Sequence, residues 1–259
     1  MADYQCIKVD TDDDGVTTIT LNRPDRLNSF NRQMIAEWTE ALQLGDADPE
    51  TRVILITGAG RAFCAGGDAS EMEELAVADN VSRKDYLWRG VHRIPLVMSR
   101  MEKPVIAVLN GTARGAGLDM ALFCDMRIAA ESATFAESYI HMGVMSGDGG
   151  TYMLPRLVGV ANSFDLLWTG RLINAQEALG MGLVNRVVPD AELAGQAREL
   201  ARTIARQPQQ AIRLTKRALY QSLDTSLDMH MDMVSSHMAI LYDTEDFREK
   251  LKAFRSRSR

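Results

Sequence analysis

The chain has 259 residues, 46% of them apolar and 25% charged, so it is long enough to bury a large core and too ordinary in composition for a fibrous or disordered polymer. Thirty-five acidic residues against 29 basic ones leave a formal charge of −6, which removes the global field that duplex nucleic acid would need. The N-terminal Met1-Ala2-Asp3-Tyr4 carries no basic stretch before an apolar run, and no later apolar segment is long enough to cross a bilayer, so a cytoplasmic protein without membrane or nucleic-acid partners is expected. Cys6, Cys64 and Cys124, odd in number and widely spaced, fit buried thiols better than disulfides or a metal site.

In chain order, Val16–Leu21 alternates with β-branched residues and stops at Asn22-Arg23-Pro24, which predicts a strand and a turn. Asn31 then caps a predicted helix whose apolar residues Met34, Trp38, Ala41 and Leu42 share one face. The continuous apolar runs at Arg52–Thr57 and Val105–Leu109 predict strands covered on both faces, with helical composition over Glu71–Met101 between them. Gly115-Ala116-Gly117 opens a helical run to Cys124, and Met126–Ala130 and Val184–Val188 read as further strands. Strands alternating with helices imply parallel βα units. Beyond Asp190 the pattern is helical: Ala191–Arg206, Gln209–Ser222 and Thr225–Tyr242. Leu227, Met231, Val234, Met238 and Leu241 form a stripe that fits either core or a subunit interface.

Several chemistries lack their motifs. Gly58-Ala59-Gly60 fails the dinucleotide spacing because Phe63 stands where the last glycine belongs, and no Walker loop, nucleophile elbow or zinc-binding His-Glu-x-x-His is present. His92, His141, His230 and His237 form no ligand-like pair, so no metal is implied and each fits an ordinary surface or core histidine.

Two small-residue loops remain, Phe63–Asp68 and Asn110–Gly117, each after a predicted strand. They fit tight turns, or a place where a ligand oxygen meets backbone N–H groups, the second loop adding the positive end of a helix. Asp119, inside an apolar run, and Glu137, after a strand-like Ala133-Thr134-Phe135, fit buried structural acids as well as catalytic ones.

In that order, Asn22-Arg23-Pro24, Leu27-Asn28, GAGRAFCAGGD at 58–68, Pro104–Gly111, GAGLDMALFCD at 115–125, Phe135-Ala136-Glu137, Gly149-Gly150, Leu157-Val158-Gly159 and Ala178–Val184 resemble the crotonase superfamily of enoyl-CoA hydratases and isomerases, over nearly the whole chain. The resemblance implies an α/β fold, a crotonase-like spiral of ββα units over residues 1–189 with a helical, oligomer-forming region at 190–259. It implies a homotrimer or homohexamer acting on an acyl-CoA thioester, coenzyme A being part of the substrate and no separate cofactor being needed.

By motif position the thioester oxygen would sit on the N–H groups of Gly67 and Ala116, with Arg26, Leu27, Ala65 and Asp68 completing the substrate site and Lys216, Arg217 or Arg257 available to phosphates. The family's hydratases hold one water between two glutamates, and here those positions read Asp119 and Glu137, so that hydration of a 2-enoyl-CoA is the expected reaction. The shorter Asp119 weakens that clamp. Relatives with this aspartate that isomerise dienoyl-CoA carry a further acid where this chain has Met145; Asp148 fits either that acid or a helix cap. Enoyl-CoA or dienoyl-CoA isomerisation and a non-catalytic acyl-CoA-binding subunit are the alternatives.

Overall fold

The computed structural model describes residues 4–257; Met1–Asp3 and the Arg257 side chain lie outside the described part. Six strands form the large sheet: β1 (Ile7–Thr11), β2 (Val16–Leu21), β3 (Val53–Gly58), β5 (Val105–Leu109), β7 (Met126–Ala130) and β10 (Arg186–Val188), neighbours in that order. All its pairings are parallel except β1 with β2. A smaller sheet holds β4 (Ala62–Cys64), β6 (Thr112–Arg114), β8 (Thr134–Ala136) and β9 (Ile173–Asn174). The pairs β3/β4, β5/β6 and β7/β8 each give one strand to either sheet before a helical segment follows, so the chain winds as a spiral of ββα turns.

The elements form where side-chain pattern and capping agree. Helix α1 (Arg32–Ala47) begins at Asn31, whose side chain accepts from Met34 N–H, and buries Met34, Trp38, Ala41 and Leu42. In β5 every residue is buried, and in β3 all but Thr57, as continuous apolar runs covered on both faces require. The segment between them holds α2 (Ala69–Val77), α3 (Asn80–Asp85), a π-helical turn at Tyr86–Val91 and α4 (Arg93–Met98). Glu71 ties that segment to α1, accepting from Tyr86 Oη at 2.7 Å and from Arg32 N–H at 2.7 Å.

Four helices follow, α5 (Ala116–Leu122), wholly buried, α6 (Gly150–Leu157), with Gly150, Met153 and Leu154 buried, then α7 (Gly159–Thr169) and α8 (Ala175–Gly180). Helix α9 (Leu193–Ala205) packs against the large sheet. The last three helices, α10 (Gln209–Gln221), α11 (Leu227–Tyr242) and α12 (Glu245–Arg257), extend the chain, and α10 and α11 contain no buried residue. The stripe on α11 is therefore not core: Leu227 and Met231 are exposed. The three cysteines are free and buried, as expected. No helix among the described residues is long and apolar enough to cross a membrane.

Candidate active site

Three parallel strand ends lie side by side. β4 pairs with β6 and β6 with β8, so Cys64, Arg114 and Ala136 end their strands on one edge, and the segments that follow carry Gly67, Ala116 and Glu137. The C-terminal edge of parallel strands is where such folds place ligands. Gly66 (φ +98°) and Gly115 (φ +48°) turn there in conformations that a side chain would strain. A Cβ on Gly66 would stand 3.6 Å from Ala116 N, so the two loops touch. The N–H groups of Gly66's successor and of Ala116 meet no protein acceptor among the described hydrogen bonds, whereas Asp68 N–H, one residue on, bonds Phe30 O at 3.0 Å.

Asp119 sits one turn after Ala116, and side chains lean towards a helix's N-terminus, which carries its carboxyl back under that turn. It is fully buried. Its Oδ2 accepts from Tyr139 Oη at 2.6 Å, Ser146 Oγ at 3.0 Å and Asp148 N–H at 3.3 Å. Its Oδ1 and both Glu137 oxygens are buried without a protein donor when both carboxyls are ionised. Once one of the carboxyls carries a proton the two can hydrogen-bond to one another, which gives a partner to at most two of these three atoms. Burial, then the charges of Asp119 and Asp148, hold the Glu137 carboxyl well above the usual carboxylate range. Burial and the charge of Asp148 raise Asp119 to about 6, against the opposing hydrogen bonds of Tyr139 and Ser146. Of the two, Glu137 holds a proton the more tightly.

Asp148 does not cap α6. The N-cap is Gly149, whose φ of +118° turns the chain so that the Asp148 carboxyl points back to Tyr139 Oη, 2.9 Å from Oδ2. His92 Nε2 lies 3.5 Å from Asp148 Oδ1 and 2.8 Å from Gly147 O. Asp148 raises the His92 pKa by hydrogen bonding, opposed by burial. Asp148 and His92 line a cavity of about 390 Å³ with Trp88, Leu96, Phe123 and Tyr152. An adjoining cavity of about 420 Å³ shares Phe123 and Tyr152 and continues between Met153 and Leu219.

The other expected site residues divide. Leu27 (φ +51°) and half-buried Ala65 lie beside the first loop, Ala65 N–H donating to Leu27 O at 3.0 Å, while Arg26 is exposed on the preceding 3₁₀ turn. The Asp68 carboxylate is committed within the protein: it caps α2 through Ser70 N–H at 3.1 Å and pairs with Arg23 at 2.7 Å. Lys216 is tied to Asp125 at 2.8 Å and Arg217 to Glu102, so both are engaged within the chain. Tyr139, Ser146 and His92 carried no sequence signal: each stands in a turn or loop without periodicity.

The family profile of enoyl-CoA hydratase/isomerase matches residues 11–259, and the chain belongs to that family. It is 38% identical over 244 residues to the 1,2-epoxyphenylacetyl-CoA isomerase of Escherichia coli K12, covering 93% of this chain and 92% of that protein. It is 36% identical over 240 residues to the crotonyl-CoA hydratase of Syntrophomonas wolfei, covering 92% and 91%. The crystal structure of an enoyl-CoA hydratase from Bacillus anthracis superposes with a TM-score of 0.90 at 36% identity, covering 98% and 97% of the two chains.

Proposed function

We propose that the chain isomerises an enoyl-CoA thioester, moving the double bond between the β,γ and α,β positions through an enolate. The observation that carries this reading is the commitment of Asp119 Oδ2 to three protein donors, Tyr139, Ser146 and Asp148 N–H, beside a Glu137 carboxyl whose hold on a proton is strengthened by burial. One oxygen of the shorter acid is thus turned to the protein, and the arrangement favours an acid–base pair that takes a proton from carbon and returns it elsewhere.

In this reading the thioester oxygen lies on the N–H groups of Gly67 and Ala116, which stabilise the enolate charge as it forms. The Asp119–Glu137 pair, with one proton between two carboxyls, takes the α-proton. The same pair returns the proton to the γ-carbon, so that no proton is gained or lost over a turnover, and Asp148 lines the cavity beside it. The two adjoining apolar cavities would take the acyl chain, and Arg26, Leu27 and Ala65 would lie along the coenzyme. The exposed apolar stripe of α11 supports assembly as a trimer or hexamer, and a monomer by light scattering at micromolar concentration would count against it. Hydration remains the second reading, supported by the hydratase names among the relatives.

The test is a panel of 2-enoyl-, 3-enoyl- and dienoyl-CoA thioesters followed by mass and by ultraviolet absorbance of the conjugated product. Unchanged mass with a shifted double bond supports isomerisation; gain of one water supports hydration; binding without any change leaves an acyl-CoA-binding subunit. Within an isomerase, Glu137→Gln should slow turnover by about 10²–10⁴-fold.

A further inference from the structure

Asp148, linked through Tyr139 to the reacting Asp119, lines the cavity of about 390 Å³, so an acyl group leaving the reacting carbons enters there. The space does not end with that cavity. Phe123, at the end of α5, and Tyr152, on α6, line it and the cavity of about 420 Å³ alike, and so form the neck between the two. The Phe123 side of the neck is fixed: its ring lies against the backbone of Gly149, where a Cβ would stand 2.3 Å from Cε2. Beyond the neck the apolar wall is made by Met153 and Leu157 of α6 and by Leu219 of α10, with Leu223 just after it.

Four charged side chains border this second cavity, and each has a partner in the protein. Asp125 accepts from Lys216, Tyr220 and Val105 N–H; Arg127 donates to Leu183 O and Cys124 O, each at 2.7 Å; Arg156 donates to Tyr152 O at 2.9 Å and faces Asp224 at 4.0 Å. No charge is left over to recognise a carboxylate or an ammonium at the end of a chain. Apolar surface, by contrast, is in excess: Leu219 is 60% and Leu223 53% exposed, and α10 buries no residue. An apolar tail laid between α6 and α10 removes that surface from water. We propose that the substrates are long-chain acyl-CoA thioesters whose tails pass the Phe123–Tyr152 neck and end against α10, an inference that rests on the acyl-CoA reading above and not on which reaction follows. The C-terminal helix α10 is then part of the acyl site.

The test titrates the full chain with saturated butanoyl-, octanoyl-, dodecanoyl- and hexadecanoyl-CoA, which lack the double bond and so bind without reacting. A buried methylene is worth up to about fourfold in affinity, so the gain from octanoyl- to hexadecanoyl-CoA should be about 10²-fold or more. Affinity that levels off at octanoyl-CoA overturns the proposal. In Leu219→Asp, which sets a charge on the cavity wall at an exposed position, that gain should shrink by about tenfold, and Leu219→Met, which stays apolar, should keep it. An undiminished gain in Leu219→Asp overturns the proposal too, and a shift in that variant's assembly by light scattering would then show a second copy to be what covers these leucines. A chain that binds none of the four thioesters, butanoyl-CoA included, overturns the acyl-CoA reading itself, whereas binding with no gain beyond octanoyl-CoA overturns only the long-chain inference.

Discussion

The backbone of Gly150 closes over Asp119: a methyl group on its Cα would overlap Oδ1 of the carboxyl and crowd Ser146 Oγ. The first residue of α6 thereby fixes the position of an acid on α5, and only a residue without a side chain permits it. Gly150→Ala must displace Asp119 or unwind the start of α6. It should lower turnover by about 10²-fold, the cost of a misplaced reacting group, while coenzyme A thioester affinity changes little. Steady-state kinetics beside a binding titration check this, and an active Gly150→Ala enzyme would place the reacting acid elsewhere.

Such a contact is invisible in a sequence, and the boundary of what was legible follows from length and periodicity. Helix α1 and strands β3 and β5 were readable because a cap and several turns or residues repeat one pattern. Strands β4 and β6 have three residues each, too few to show a period, and were read only as loops. Strand β1 was missed because Lys8 and Asp10 face outward on a sheet edge. Asp119 and Glu137 were identified as a pair through the resemblance, and they do meet. Asp148 was left between a cap and a third acid, because the deciding fact is the +118° φ of Gly149. His92 read as an ordinary histidine, since its nearness to Asp148 arises from a 55-residue separation to Gly147 that only the fold closes.

The pH dependence of activity follows from the same pair. Asp119, raised to about 6, must be ionised to take a proton, and Glu137, Asp148 and Tyr139 all face it. We expect kcat/KM to be level above about pH 6 and to fall about tenfold per unit below it, the apparent value belonging to the coupled pair. A profile flat down to about pH 4, the ordinary carboxylate range, would show that no buried acid of this kind acts as base.

Stability should carry the opposite sign from that of a salt-bridged carboxylate. Between its ordinary 3.8 and about 6, Asp119 is ionised in the unfolded chain and protonated in the folded one, so the folded state binds more protons. Stability is then lost as pH rises through that window and stays lower above it. Asp119→Asn removes the titration, so its stability relative to wild type should improve by on the order of 2–3 kcal/mol between about pH 4 and pH 7. Denaturant unfolding of both proteins at the two pH values measures the difference; a relative stability that does not move with pH would mean that Asp119 folds without a desolvation cost.

The C-terminal helices hang on polar bonds rather than on a core. With no buried residue in α10, its attachment depends on Lys216, which donates to Lys103 O and to Asp125 Oδ2, each at 2.8 Å, and on Tyr220, whose hydroxyl meets Asp125 Oδ1 at 2.9 Å. Asp125 also accepts from Val105 N–H at 2.7 Å, so one carboxylate links α10 to the start of β5. Asp125→Ala leaves a half-buried ammonium and a buried hydroxyl without that partner and should cost about 2–3 kcal/mol. Because the loss falls at the junction, α10 should open before the spiral core does, making the chain at Arg213 accessible to trypsin. Asp125→Asn, which keeps an acceptor for Tyr220 but not the charge for Lys216, should fall between the two. If instead Asp125→Ala unfolds in one step with the core and shows no earlier cleavage, α10 is held by contacts other than these.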